Sequence, residues 1–138
     1  MTPSLQILMS QIRSYRDLLV WQKSVELAVD LYAATRSFPA AERFGLTGQI
    51  QRAGVSIPSN VAEGHAREGP GHFLNHLSHA RGSLAELDTQ LIIANRIGLL
   101  SAPTYRAFAV RTDEVGRMLQ GLTAAVLVRK QSLARSGR

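Results

Sequence analysis

Between Phe73 and Ala94 the chain leaves itself little choice. Phe73, Leu77, Ala80, Leu84, Leu87, Leu91 and Ala94 follow one another by four, three, four, three, four and three residues. Steps of that kind keep apolar side chains on one stripe of an α-helix, and a heptad stripe sustained over this length has to be covered by other helices. Gly98 has the place and type of a C-terminal stop for that helix. A sheet is excluded elsewhere too, because no stretch alternates apolar and polar residues and no Asn-Gly or Asp-Gly hairpin turn occurs.

Three further helices accompany this one. A first is expected from Asp17 to Ser37 with Leu18, Trp21, Val25, Ala28, Tyr32 and Thr35 on its seam. "SFPAAERFG" ends it, since Pro39 disfavours helical geometry at Phe38, and a short turn follows that closes at Gly45. Thr47 is placed to cap a second helix with Leu46, Ile50, Ala53, Ile57, Val61 and Gly64 along one side, and "GHAREGPG" then reads as a loop. A fourth helix follows "SAPT", with Tyr105, Phe108, Thr112, Val115, Leu119, Leu122 and Val126 inward. Four helices joined by short loops predict an all-α, antiparallel up-and-down four-helix bundle. The bundle domain spans 15–128, after an N-terminal extension over 1–14 and before a frayed basic tail over 129–138.

Within the second helix, "QRAGVSIPSNVAEG" carries Pro58, which lacks an amide hydrogen and crowds the carbonyl of Gly54. A kink is expected there, wrapping the helix around its neighbours. The alternative is that it presents Ser59 and Asn60 to a ligand.

The outward faces are unusual for a monomer. Ser78, Gly82, Ala85, Thr89 and Ile92 occupy outer positions of the third helix, where lysine and glutamate are normal. A mid-helix glycine costs about 1 kcal/mol relative to alanine, and close approach of another helix is the usual compensation. On the first helix Val20, Leu27 and Ala34 take the outer side. Val20, Leu27, Ser78, Gly82, Ala85 and Thr89 are therefore candidates for an interface in a homo-oligomer.

Net charge is +6, and fourteen of the sixteen basic residues are arginine, whose fork binds phosphate or carboxylate bidentately. Cysteine is absent, which removes disulfides, thiolate metal sites and cysteine nucleophiles together. With no signal-peptide pattern and no long apolar run, a cytoplasmic, non-membrane protein is expected.

"DLLVWQKSVELAVDLY", "FPAAERFGLTGQIQRAGVSIPSNVAEG" and "ARGSLAELDTQL" resemble signatures of the four-helix-bundle family named for proteins encoded in intervening sequences of 23S rRNA genes. The likeness covers roughly residues 15 to 125. It implies a left-handed bundle that assembles into a ring, commonly a pentamer. A related branch includes the accessory variability determinant of diversity-generating retroelements, a basic pentamer that binds a reverse transcriptase and nucleic acid. The polar positions that match are Gln49, Arg52, Ser56, Asn60, Glu63, Arg67, Arg81, Ser83, Glu86 and Gln90. Gln51 and "EGPG" depart from the pattern by being less basic.

Arg52, Arg67 and Arg81 are the candidates for binding RNA or a nucleoprotein partner; five copies of a +6 chain would attract polyanions at low salt. Glu63 and Arg67 are also spaced to pair along the helix, and Arg81 to pair with a neighbouring helix. Most aromatic residues fall on or next to the seams, which argues for backbone or shape recognition over base readout. His72, His76 and His79 share one helical face, where neighbouring pairs could chelate a metal, but no carboxylate stands at useful spacing in that helix. Phosphate-cradling glycine loops, the HExxH pattern and a serine nucleophile elbow are absent. The reading is a non-enzymatic binding or scaffold protein with no cofactor, metal or small-molecule substrate. The alternative is a protein-only scaffold with incidental charge, and the third a histidine metal protein.

Overall fold

The computed structural model describes residues 11–137. Most of the extension expected over 1–14, and Arg138 at the end of the basic tail, lie outside them. Four helices make up the structure: α1 (Leu19–Thr35), α2 (Leu46–Ala66), α3 (Pro70–Arg96) and α4 (Ala102–Ser136). Short 3-10 turns at Tyr15–Asp17 and Ala40–Glu42 precede α1 and α2. Each helix packs on the next and α4 closes on α1, the arrangement of an up-and-down four-helix bundle. Among the described residues there is no strand, and no helix is long and apolar enough to cross a membrane.

The seams expected for α2, α3 and α4 form the core. Ile50, Ala53, Ile57, Val61, Leu77, Ala80, Leu87, Leu91, Ala94, Val115, Leu119 and Val126 are buried together, with Leu46, Leu84, Tyr105 and Leu122 packed at the margin. Gly98 stops α3 as expected. At φ +85° it lets Leu99 N–H reach back to the Ala94 carbonyl at 2.8 Å and its own N–H to Asn95 at 3.1 Å. Pro58 does not end α2, which runs on to Ala66.

α1 corrects the expected interface. Val20 and Leu27 are core residues, 3% and 1% exposed, and so cannot face another subunit. Of the expected seam Leu18, Ala28 and Thr35 are buried, Trp21 and Val25 are half-buried and Tyr32 points out, and Val20, Ser24, Leu27 and Leu31 complete the inward stripe. At Val20, Ser24, Leu27 and Leu31 the deeper residue stands one before the expected one, about 100° around the helix. A polar residue, Ser24, disguised that shift. Ser24 and Thr35 bond their hydroxyls to their own helix, Ser24 to the Trp21 carbonyl at 3.2 Å and Thr35 to Leu31 at 2.8 Å, and the Thr35 hydroxyl also accepts from Gln51 Nε2 of α2 at 3.1 Å.

Three boundaries also differ. Gly45, not Thr47, occupies the N-cap of α2, and the Thr47 hydroxyl is buried without a partner. The loop before α3 shrinks to Arg67, Glu68 and Gly69, because Gly69 at φ +89° turns the chain directly into Pro70. The segment expected to fray is helical to Ser136, and every residue from Leu127 to Ser136 is exposed.

Candidate nucleic-acid interface on helices α2 and α3

The polar positions of α2 repeat on one stripe: Gln49, Arg52, Ser56, Asn60, Glu63 and Arg67 advance by three or four residues each. On α3 the facing stripe is His76, His79, Ser83, Glu86 and Gln90. The two helices approach closely because α2 carries Gly64 where they meet. A Cβ there would stand 2.6 Å from His76 Cβ and 3.2 Å from Phe73 Cδ1.

Close approach lets short side chains hydrogen-bond across the joint. Ser56 Oγ and Ser83 Oγ are 2.7 Å apart. Asn60 Nδ2 donates to the Ser56 hydroxyl at 3.1 Å and to the Ser56 carbonyl at 2.9 Å, which turns its Oδ1 toward α3. His76 Nδ1 lies 3.1 Å from that oxygen and 3.9 Å from Glu63 Oε2, so this nitrogen carries the proton and donates. Glu63 in turn accepts from Arg67 at 3.0 Å. The chain therefore runs Arg67, Glu63, His76, Asn60, Ser56, Ser83 along the groove. Beyond it Gln49, Arg52, Glu86 and Gln90 line the continuation. The Gln90 carbonyl oxygen is buried there with no partner.

The sequence pattern that defines 23S rRNA-intervening sequence proteins matches residues 16–121, a span that holds all of α1, α2 and α3 and α4 as far as Gly121. The chain belongs to this family. A crystal structure from Bacteroides thetaiotaomicron, described as a protein with unknown function from the S23 ribosomal protein family, resembles it with a TM-score of 0.72. Identity is 23%, over 77% of this chain and 96% of that one, so that likeness speaks for the fold alone. No curated protein matches the chain. The family description names no reaction.

In this 23S rRNA-intervening sequence protein the three candidate arginines do not converge. Arg52 lines the α2–α3 groove and forms no ion pair among the described residues. Arg67 lies fifteen residues further along α2, about 22 Å at the helical rise, and is neutralised by Glu63. Arg81 sits on the opposite flank of α3, in the shallow groove with Asp88, Asp113 and Arg117 of the α3–α4 joint. Ser78, Gly82, Ala85 and Thr89 are all exposed, and a Cβ on Gly82 would meet nothing within 4 Å.

The histidines separate as well. His76 is turned into the α2–α3 joint with its side chain 14% exposed, while His72 and His79 are exposed. The His76 and His79 rings are 6.2 Å apart between centroids, and among the described residues no three His, Asp or Glu side chains gather around a common point. His65, at the far end of α2, is a fourth. It packs edge-on against Phe73 at 5.5 Å, and burial lowers its pKa below the usual 6.5, with Arg129 adding to the effect and Asp17 opposing it.

Two residues escaped the seam-based reading. Phe44 is 91% exposed in the turn before α2, and the Arg43 guanidinium carbon lies 5.6 Å from its ring centroid. The signal was available: "ERFG" places an aromatic between a turn and a glycine, with no seam for it to join.

Proposed function

We propose that this protein is a non-enzymatic binding module that takes structured RNA, or RNA within a nucleoprotein, on the face built by α2 and α3. The observation that carries the reading is the ordered polar joint between these helices, hydrogen-bonded from His76 through Asn60 and Ser56 to Ser83, with the unpaired Arg52 at its continuation. A groove of amides and hydroxyls, with the unpaired Arg52 guanidinium beside the Glu86 carboxylate, suits phosphate and sugar contacts better than it suits an apolar partner. The net charge of +6 and a family named for 23S rRNA genes support the same direction. The ring assembly implied by the resemblance belongs to this proposal. It is supported by the outward, uncharged stripe of Ser78, Gly82, Ala85 and Thr89.

Fluorescence anisotropy of a labelled 23S rRNA fragment, titrated at about 50 and 200 mM salt beside a DNA duplex, tests the binding. Affinity that falls steeply with salt, and falls further in Arg52→Ala, is the expected result. No binding at low salt would sink the reading and turn the search toward a protein partner. Light scattering at micromolar concentration tests assembly, and a monomer mass would end that part.

A further inference from the structure

Among the described residues Phe44 is the most exposed large apolar side chain, and nothing in the bundle uses it. It belongs to no seam, and its ring carries a guanidinium beside it rather than an apolar neighbour. The next cation is close. Arg52 Nη1 lies 2.9 Å, and the Arg43 carbonyl oxygen 3.0 Å, from the point a Cβ would occupy on Gly48, so the Arg52 guanidinium folds back beside the backbone of Arg43. Arg52 is also the first cation of the α2–α3 groove, where Gln49 and Gln90 offer amides. An exposed aromatic, two arginines and a groove of amides and hydroxyls with one carboxylate, Glu86, thus lie together at the start of α2.

We infer that this surface binds single-stranded nucleic acid, with Phe44 stacking on a base while Arg43 and Arg52 hold the adjoining phosphates. The inference rests on the nucleic-acid reading above and names the strand form and the contact residues. Charge complementarity selects the occupant. From Arg36 to Arg52 the chain has three arginines against one carboxylate, and Glu42 is half-buried with its Oε2 turned over Gly45. A protein pocket that took Phe44 would also have to desolvate the guanidinium beside the ring. A base offers a π-face to Phe44 and brings its own anions to the arginines. A duplex keeps its bases stacked inside and has no free face to offer, so a single strand or an unpaired RNA loop fits the ring.

The test is anisotropy with a labelled ten-nucleotide single strand, the same length carrying abasic sugars, and a duplex, using the full chain and Phe44→Ala, Phe44→Trp and Arg43→Ala. Because Phe44 lies outside the core, the melting temperature of Phe44→Ala stays that of the parent. Phe44→Ala is expected to weaken the base-containing strand roughly 5- to 150-fold and the abasic strand hardly at all. Phe44→Trp restores binding, with its fluorescence quenched as the strand is added. Arg43→Ala weakens both strands and lowers the salt slope by about one unit. Parent protein that binds RNA while Phe44→Ala binds the single strand equally well would overturn this inference and leave the wider reading standing. Parent protein that binds no nucleic acid would overturn both. A change in oligomer mass on Phe44→Ala, with strand affinity unaltered, would make Phe44 a contact between copies and overturn the inference too.

Discussion

The joints α2–α3 and α1–α4 are built on different physics. At α2–α3 a glycine admits the neighbouring helix to contact distance, and four side chains from Ser56 to His76 then hydrogen-bond across or along the joint. At α1–α4 the helices meet along fewer positions and are tied by two ion pairs, Arg111 to Asp30 at 2.7 Å and Lys23 to Glu114 at 3.2 Å. Short side chains in a close joint lose little rotamer entropy and hold one geometry; long charged ones at a solvated edge lose more and gain little. The candidate binding face thus stands on the rigid joint, where contact atoms are held in place before any ligand arrives.

The comparison breaks first at Gly64. Gly64→Ala forces a Cβ into the His76 Cβ, backbone-anchored on both sides, and is expected to destabilise the fold by about 1 to 3 kcal/mol in urea unfolding. An unchanged midpoint would mean that the helices separate easily and that the joint is not rigid. Asn60→Ala is next. It removes the acceptor of His76 and a donor to Ser56 in a half-buried site, for a loss of about 1 to 2 kcal/mol by the same measurement.

The α1–α4 side sharpens the contrast by its weakness. Arg111→Ala and Lys23→Ala are each expected to cost less than about 1 kcal/mol, because both pairs are part-exposed, and 1 M salt should erase most of that. A salt-resistant loss as large as that at Asn60 would reverse the ranking of the two joints. Gly82→Ala has the opposite sign in the isolated chain. Its Cβ enters open space, so the melting curve should show a gain of up to about 1 kcal/mol, while any assembly through that face should weaken by light scattering.

The smallest effect is one of pH. His65 has its folded pKa held below the unfolded value near 6.5, so the unfolded chain binds more protons in the window beneath that value. Stability should therefore fall as pH drops from about 7 to about 5, and His65→Gln should flatten that slope. A slope unchanged in the variant would assign the acid sensitivity elsewhere.

What the chain shows of its own fold depends on how unambiguous each stripe is. α3 was legible because its seam has polar or small residues on either side, and α2 and α4 followed for the same reason. α1 was legible only in part: Leu18, Ala28 and Thr35 of its expected seam are buried, but Trp21, Val25 and Tyr32 make a stripe as apolar as the residues one before them, which Ser24 breaks. Of the candidate site, the polar residues of α2 could be named from spacing. That Arg67 is neutralised and Arg81 turned to another groove could not.

Local chemistry in the sequence alone determined the helical class, the stops at Gly45 and Gly98, and three of the four inward faces, because periodicity and backbone preference act within a few residues. The tertiary structure alone decided which face of α1 is inside, which arginine remains free, and that His76 serves the α2–α3 joint. Those outcomes depend on what lies across from each residue, and a contact between helices far apart in the chain leaves no periodic trace within either one.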